Sequence, residues 1–490
     1  MRTAAQEQLW RLHAGLSAIP ASEALDMFYA LEVAGPLAAP ALRGALEAMT
    51  RRHEPLAAGL AWEEVDLSHL PGEAAAAAAA RRAAGESRHR FDLAGPLLRA
   101  ALLRLAPERH VLLLNLHHMT ADGWSLDLFA RELSALYAHL REGREAERAA
   151  LPSLREVVME QRRWLESAEA GDQLEWWRGY LAGVSAASFR LPGDPARPAV
   201  APAAVAPLVR MMRQVALLPP DLMAEAQVTA KRRGASLFML LLTALQVVLA
   251  RFTGTPEVVV GTLVANRPTP ESAQVMGAHY NPLLLRADLP GDIPLGEALL
   301  RTVDGTLPAL ERQELPFPAV ARALAETLGI PPRTIPAAVL QVDRYPLDAL
   351  ALAGATVTGL HLDPGGARGL AELGPRSLLA ATDVPLTFFC REVRGRYTLS
   401  VFADPLRIAE PTAAALLASY QEVLLALTER LEEPIADLPL PIDEGPFETW
   451  AASEAPAEPA GPRLFPITDG SPVDALSPVT AAYAPEETCG

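Results

Sequence analysis

The residues best suited to chemistry lie in one short stretch, His117-His118-Met119-Thr120-Ala121-Asp122-Gly123. An imidazole with a pKa near 6.5 can take or release a proton at neutral pH. A carboxylate close by can support it. A glycine lets backbone or ligand approach closely. The pattern H-H-x-x-x-D-G arises by chance in on the order of one chain of this length in a thousand, so it is read as a candidate site for proton transfer.

The flanking residues must position that site. The run 111–116, Val-Leu-Leu-Leu-Asn-Leu, is almost wholly apolar and reads as a buried strand. Side chains alternate along a strand, so His117 and His118 face opposite ways and only one can enter a given cleft. After the turn, Leu126, Phe129, Leu133, Leu136, Tyr137 and Leu140 recur with the helical period, and Ser125 is a suitable N-cap. Asp122 lies on the turn and can fold back toward the strand end. Opposite-facing neighbours rarely share an ion, and no H-E-x-x-H or second ligand cluster appears, so no metal is expected.

The chain has 490 residues, half of them apolar, which suits two or three domains with large cores. No apolar run reaches the roughly 18–20 residues of a membrane span. The longest candidate, 237–250, contains Thr243 and Gln246 and reads as a buried helix. The first residues lack the apolar core of a signal peptide. Cys390 and Cys489 form no disulfide framework, which points to a reducing cytoplasm. The net charge is −16, and half of that excess lies beyond residue 440, so nothing resembles a nucleic-acid footprint.

Helix is expected over 40–52, 125–140, 154–167, 173–181, 220–234 and 236–252, and strand over 97–105, 111–116 and 257–264. The alanine-rich 73–84 favours helix but offers little to bury, so it is expected on the surface. Five prolines between 189 and 208 mark a connector. The expected organisation is an N-terminal lobe over 1–185, a connector over 186–208, a C-terminal lobe over 209–440 and an acidic, proline-rich, disordered tail over 441–490. Each half mixes helix and strand and can build its own α/β core.

With these residues in hand, the chain resembles the condensation domains of nonribosomal peptide synthetases over roughly residues 3–440. Ala5-Gln6-Glu7-Gln8-Leu9-Trp10 resembles the family's first motif, and Arg52-His53-Glu54-Pro55-Leu56 its second. The stretch 116–125 is close to a full match to the catalytic third. The segment 261–268 followed by Gly277-Ala278-His279-Tyr280-Asn281-Pro282 resembles the motif ending in G-x-x-x-N. Leu315-Pro316-Phe317 and Gln341-Val342-Asp343 match two later motifs loosely. Two departures stand out: a hairpin after Leu56 is missing, and an extended Gly/Ala/Leu-rich loop lies between His361 and Val384. The segment 481–488 resembles the lead-in to a carrier domain, as if the chain were cut from a longer synthetase.

The resemblance implies an α/β fold of two chloramphenicol acetyltransferase-like lobes in a V, with a tunnel at their interface. It implies amide formation between a donor acyl thioester and an acceptor amine. Both ride on 4'-phosphopantetheine arms of peptidyl carrier proteins, alongside adenylation domains of the same assembly line. No cofactor is bound directly, and the chain is expected to act as a monomer. His118 is the expected catalytic residue, with Asp122 and Gly123 completing the motif. His117 and Trp124 are expected to support it. Arg267 is expected to pair with Asp122 across the lobes. Tyr280, Asn281 and Gln341 are expected near the substrate or carrier arm. Two alternatives stay open: an acyltransferase acting on a soluble amine or alcohol, and a catalytically silent docking module.

Overall fold

The computed structural model describes residues 2–16, 25–144, 151–192, 211–330, 332, 335–344, 347, 349–362, 384–393, 395–405, 407–443 and 464–466. The first sheet begins with β1 (Asp26–Ala34), which pairs antiparallel with β4 (Arg109–His117). Next to β4 lies β3 (Leu98–Ala106), antiparallel, and then β2 (Leu60–Asp66), parallel to β3. A single strand thus follows the second motif and leads directly into helix α3 (Gly72–Glu86), after α1 (Ala4–Leu16) and α2 (Ala39–Arg52).

Both faces of this sheet are covered, which is why β4 reads as a continuous apolar run. Leu112, Leu114 and Leu116 pack with Met27, Tyr29 and Leu31 against α2 and against α4 (Gly123–Arg141), which contributes Leu126, Phe129 and Leu133. Leu113 and Val111 face the other way, onto Phe28, Ala30 and α3. The alanine-rich helix is therefore not a surface helix. Ala75, Ala79, Ala80 and Ala83 are buried, because small side chains let the helix lie close to the sheet without an obvious apolar stripe.

Helices α5 (Leu154–Leu165) and α6 (Ala168–Tyr180) lead to the second sheet. Its order is β5 (Met212–Leu218), β11 (Arg396–Ala403), β10 (Leu386–Val393), β8 (Ala338–Arg344), β6 (Glu257–Val264) and β7 (Asn281–Asp288). The central strands β10, β8 and β6 run parallel, and the outer pairings are antiparallel. The helices that follow β5 are α7 (Pro220–Arg232) and α8 (Leu237–Thr253), and α9 (Leu295–Leu310), α10 (Phe317–Leu328) and α11 (Glu410–Glu429) are the further helices among the described residues. Leu240 to Val248 of α8 are fully buried, as expected for a helix apolar all round at the centre of a core. No single described helix is long and apolar enough to cross a membrane; α7 and α8 pass that test only as a pair bent by 102°.

Strands from beyond the N-terminal half also join the first sheet. β9 (Thr356–Leu362) pairs antiparallel with β1, Ala30 opposite Leu360, and so joins the first sheet from the C-terminal half. The short β12 (Leu464–Pro466) pairs with β9 beyond it, so this piece of the expected disordered tail is a strand. The rest of the tail after Asp443, the connector from 193 to 208 and the loop 363–383 lie outside the described residues.

Candidate functional site

The end of β4 and the start of α4 build the turn. His118 N–H donates to the Leu25 carbonyl at 2.7 Å, and Thr120 N–H donates to the His117 carbonyl at 2.9 Å. His117 is 1% exposed. Its ring meets Phe91 edge-on at 5.8 Å, and its Nδ1 accepts the Met119 N–H at 3.1 Å. His118, facing the other way, is half-buried and meets Tyr280 at 5.8 Å between ring centres. Its Nδ1 is enclosed without a well-formed hydrogen bond, although its own carbonyl and that of Ala121 lie near the ring. Burial lowers its pKa below the usual histidine value, and the Asp122 charge opposes that only in part. The ring is therefore neutral at pH 7 and able to accept a proton.

Asp122, not Ser125, is the N-cap of α4. The helix begins at Gly123, and the Asp122 Oδ1 accepts the Ser125 N–H at 2.9 Å. Both residue types suit a cap, and only the backbone decides between them. Each Asp122 oxygen takes two N–H donors, which fills a carboxylate's four lone-pair sites. Oδ1 accepts from Ser125 N and Arg267 Nη2, and Oδ2 from Arg267 Nη1 and His279 N, all at 2.9–3.0 Å. Both side chains of the ion pair are nearly sealed, Arg267 at 2% and Asp122 at 6% exposure. Burial alone would raise the carboxyl's pKa. The Arg267 charge and hydrogen bonds, helped by His279, bring it below the ordinary value.

Arg267 follows β6, so this clamp ties the turn of the first half to the second. Three residues without a predicted role in the clamp complete it. The Ser125 hydroxyl accepts from Arg267 Nη2 at 2.8 Å and from Gly277 N–H at 3.1 Å, and it can donate to Asp122 Oδ1 or the Gly277 carbonyl at 2.9 Å. The Gln6 amide donates to the Met119 carbonyl at 2.9 Å, and Thr3 Oγ1 donates to the Ala278 carbonyl at 2.5 Å. The first motif's glutamine signals its position; the backbone atoms that receive these bonds have no mark in a sequence.

Gly123 is exposed, and a Cβ built on it would meet nothing within 4 Å. Trp124 is 45% exposed; its Nε1–H donates to the Ala273 carbonyl at 2.9 Å, and the Arg267 guanidinium lies 5.9 Å from its ring centre. Tyr280 is 8% exposed beside His118, and burial keeps its phenol protonated far above its usual range. Asn281 departs from the expectation of a tunnel-lining group. It is 4% exposed, donates to the carbonyls of Gln313 and Leu315, and accepts the Phe317 N–H, so it fastens the start of α10. Gln341 sits on β8 opposite Phe389, half-buried, with an enclosed and unpartnered Oε1 and no hydrogen bond to the turn.

A family model described as the condensation domain matches residues 2–329. A linear gramicidin synthase of Brevibacillus parabrevis is 28% identical over 476 residues, 93% of this chain and 6% of that protein. Phosphinothricin tripeptide synthetase PhsC of Streptomyces viridochromogenes is 35% identical over 332 residues, 64% of this chain and 30% of that protein. The chain thus spans a minor part of these relatives. Among solved structures, the condensation domain from Monacolin K polyketide synthase MokA matches with a TM-score of 0.71 at 19% identity, covering 89% of this chain and 98% of that one. That likeness is one of fold, two chloramphenicol acetyltransferase-like lobes, as the resemblance implies. With the histidine turn seated between the two halves and the family matched over most of its length, the chain belongs to the condensation domains.

Proposed function

We propose that the chain forms an amide between a donor acyl thioester and an acceptor amine, both on phosphopantetheine arms of carrier proteins. Residues 1–185 and 209–440 act as the two lobes, and the arms enter a tunnel between them that ends at His118. The observation that carries this reading is His118 itself: a neutral, half-buried imidazole at the seam of the two halves, on a turn locked by Asp122 and Arg267. The amine nitrogen attacks the thioester carbonyl. His118 receives or steers the proton that nitrogen must lose, the C–S bond breaks, and the departing thiolate takes a proton. Asp122 holds the turn and does not touch the reacting atoms. Tyr280 shapes the wall beside the imidazole, and Gly123 leaves room for an arm.

The test loads a donor carrier with a labelled acyl group and offers either an aminoacyl carrier or a free amine. Product on the acceptor carrier, lost in His118→Ala, is expected. Product released into solution instead would favour an acyltransferase using a soluble acceptor. Absence of any His118-dependent product would make the chain a docking module.

A further inference from the structure

When an amine attacks a thioester, the carbonyl oxygen takes up negative charge, and a donor already aimed at that oxygen is usually the largest single contribution to the rate. The turn that carries His118 uses up its own donors. The backbone N–H of His118 goes to the Leu25 carbonyl, that of Met119 to His117 Nδ1 and that of Thr120 to the His117 carbonyl. The clamp's cation, Arg267, is sealed. Tyr280, from the second half, brings a donor that is still free. Its ring centre lies 5.8 Å from that of His118, with the two planes at 67°. The ring packs with Ala5, Leu9, Leu25 and Ala278. Its backbone is pinned on both sides. The His279 N–H donates to Asp122 Oδ2 at 3.0 Å, and the Asn281 side chain is tied to Gln313, Leu315 and Phe317. The Tyr280 hydroxyl has no hydrogen-bond partner among the described residues and is not sealed, and the same holds for His118 Nε2. Burial, and then the Asp122 charge, keep the phenol protonated far above its usual range, so it donates at neutral pH. A free donor and a free acceptor thus stand side by side, one from each half, and the Asp122 clamp fixes both.

We propose that the Tyr280 hydroxyl donates a hydrogen bond to the carbonyl oxygen of the donor thioester, which makes Tyr280 a second catalytic residue beside His118; the role rests on the amide formation proposed above. The amine nitrogen attacks the carbonyl carbon, and the C=O π pair moves onto oxygen. The phenol O–H holds that charge without giving up its proton. His118 receives the proton from nitrogen, the pair on oxygen re-forms C=O, the C–S bond breaks, and the departing thiolate takes a proton. The two side chains divide the work by type: the imidazole accepts at nitrogen, and the phenol donates at oxygen.

The experiment compares the full wild-type chain with Tyr280→Phe. The donor carrier bears either an acyl thioester or the matching dithioester, whose C=S sulfur is a poor hydrogen-bond acceptor. The hydroxyl makes no hydrogen bond within the fold, so its removal should leave the melting curve in place. On the thioester, kcat of Tyr280→Phe should fall by about 10²-fold, with KM for both carriers unchanged. On the dithioester, the same substitution should cost almost nothing, because the contact it removes is already weak. A packing role for the ring would cost the same on both donors. Equal loss on both, or a wild-type kcat on the thioester because the first N–H groups of α4 hold the oxygen instead, would overturn the proposal and leave amide formation standing. A wild-type chain that makes no His118-dependent amide would sink the amide-forming reading and this role with it.

Discussion

Two opposite solutions stand four positions apart on one turn. At Asp122 every lone pair has an N–H, the exposure is 6%, and the partner arginine is sealed with it. At His118 the ring is half-open, and its Nδ1 has no good partner. A saturated, buried charge is a clamp: nothing is left over for a substrate. An unsaturated, neutral ring is poised for one. The same contrast divides His117 from His118. The first is enclosed against Phe91, the second faces Tyr280. The motif's residue types look equally reactive in one dimension. Satisfaction of hydrogen bonds in three dimensions separates the support from the group that acts.

The largest break in that contrast is expected from the two alanine substitutions. His118→Ala should lower turnover by about 10²–10⁴-fold, the usual share of a positioned acid or base, with unfolding unchanged. Asp122→Ala should do the reverse in kind. It strands the buried Arg267 charge, so stability should fall by about 3–5 kcal/mol, read by denaturant unfolding. Its pH dependence has a definite sign. A folded-state pKa below the ordinary aspartate value contributes stability above about pH 4 that is lost as pH falls through the lower folded value. An Asp122→Ala chain with unchanged unfolding would show that the clamp does not hold the halves together.

A smaller effect is expected in the pH profile. Only neutral His118 can accept a proton, and burial lowers its pKa. The acid limb of the rate should therefore lie below pH 6.5, the ordinary histidine value, and be missing from the residual rate of His118→Ala. A limb at or above 6.5 would mean that the ring is stabilised as imidazolium, and the contrast with Asp122 would weaken.

Much of this is legible in the chain because it is local. The β4 run, the turn, α4 and α8 rest on periodicity within one element, and the strand expected over 257–264 has those bounds in the fold. The pairing of Arg267 with Asp122 comes from the resemblance, since 145 residues separate them. What escapes is non-local or made by backbone. β9 joins a sheet built more than 200 residues earlier, and no pattern within Thr356–Leu362 says which edge it meets. Asn281 reads as a substrate group, yet its amide is used up by Gln313, Leu315 and Phe317. The alanines of α3 hide a buried face behind small side chains.

The smallest expected effect sharpens the contrast furthest. Gly123 opens α4 with a backbone any residue can adopt, and its would-be Cβ meets no atom within 4 Å. Gly123→Ala should thus leave unfolding unchanged or raise stability by up to about 1 kcal/mol, through helix propensity. If a carrier arm runs over this turn, the added methyl takes space from the arm alone. KM for the loaded carrier should rise while the melting curve holds. A variant that kept both KM and stability would make Gly123 a turn glycine, and the route of the arm would lie elsewhere along the seam between Trp124 and Tyr280.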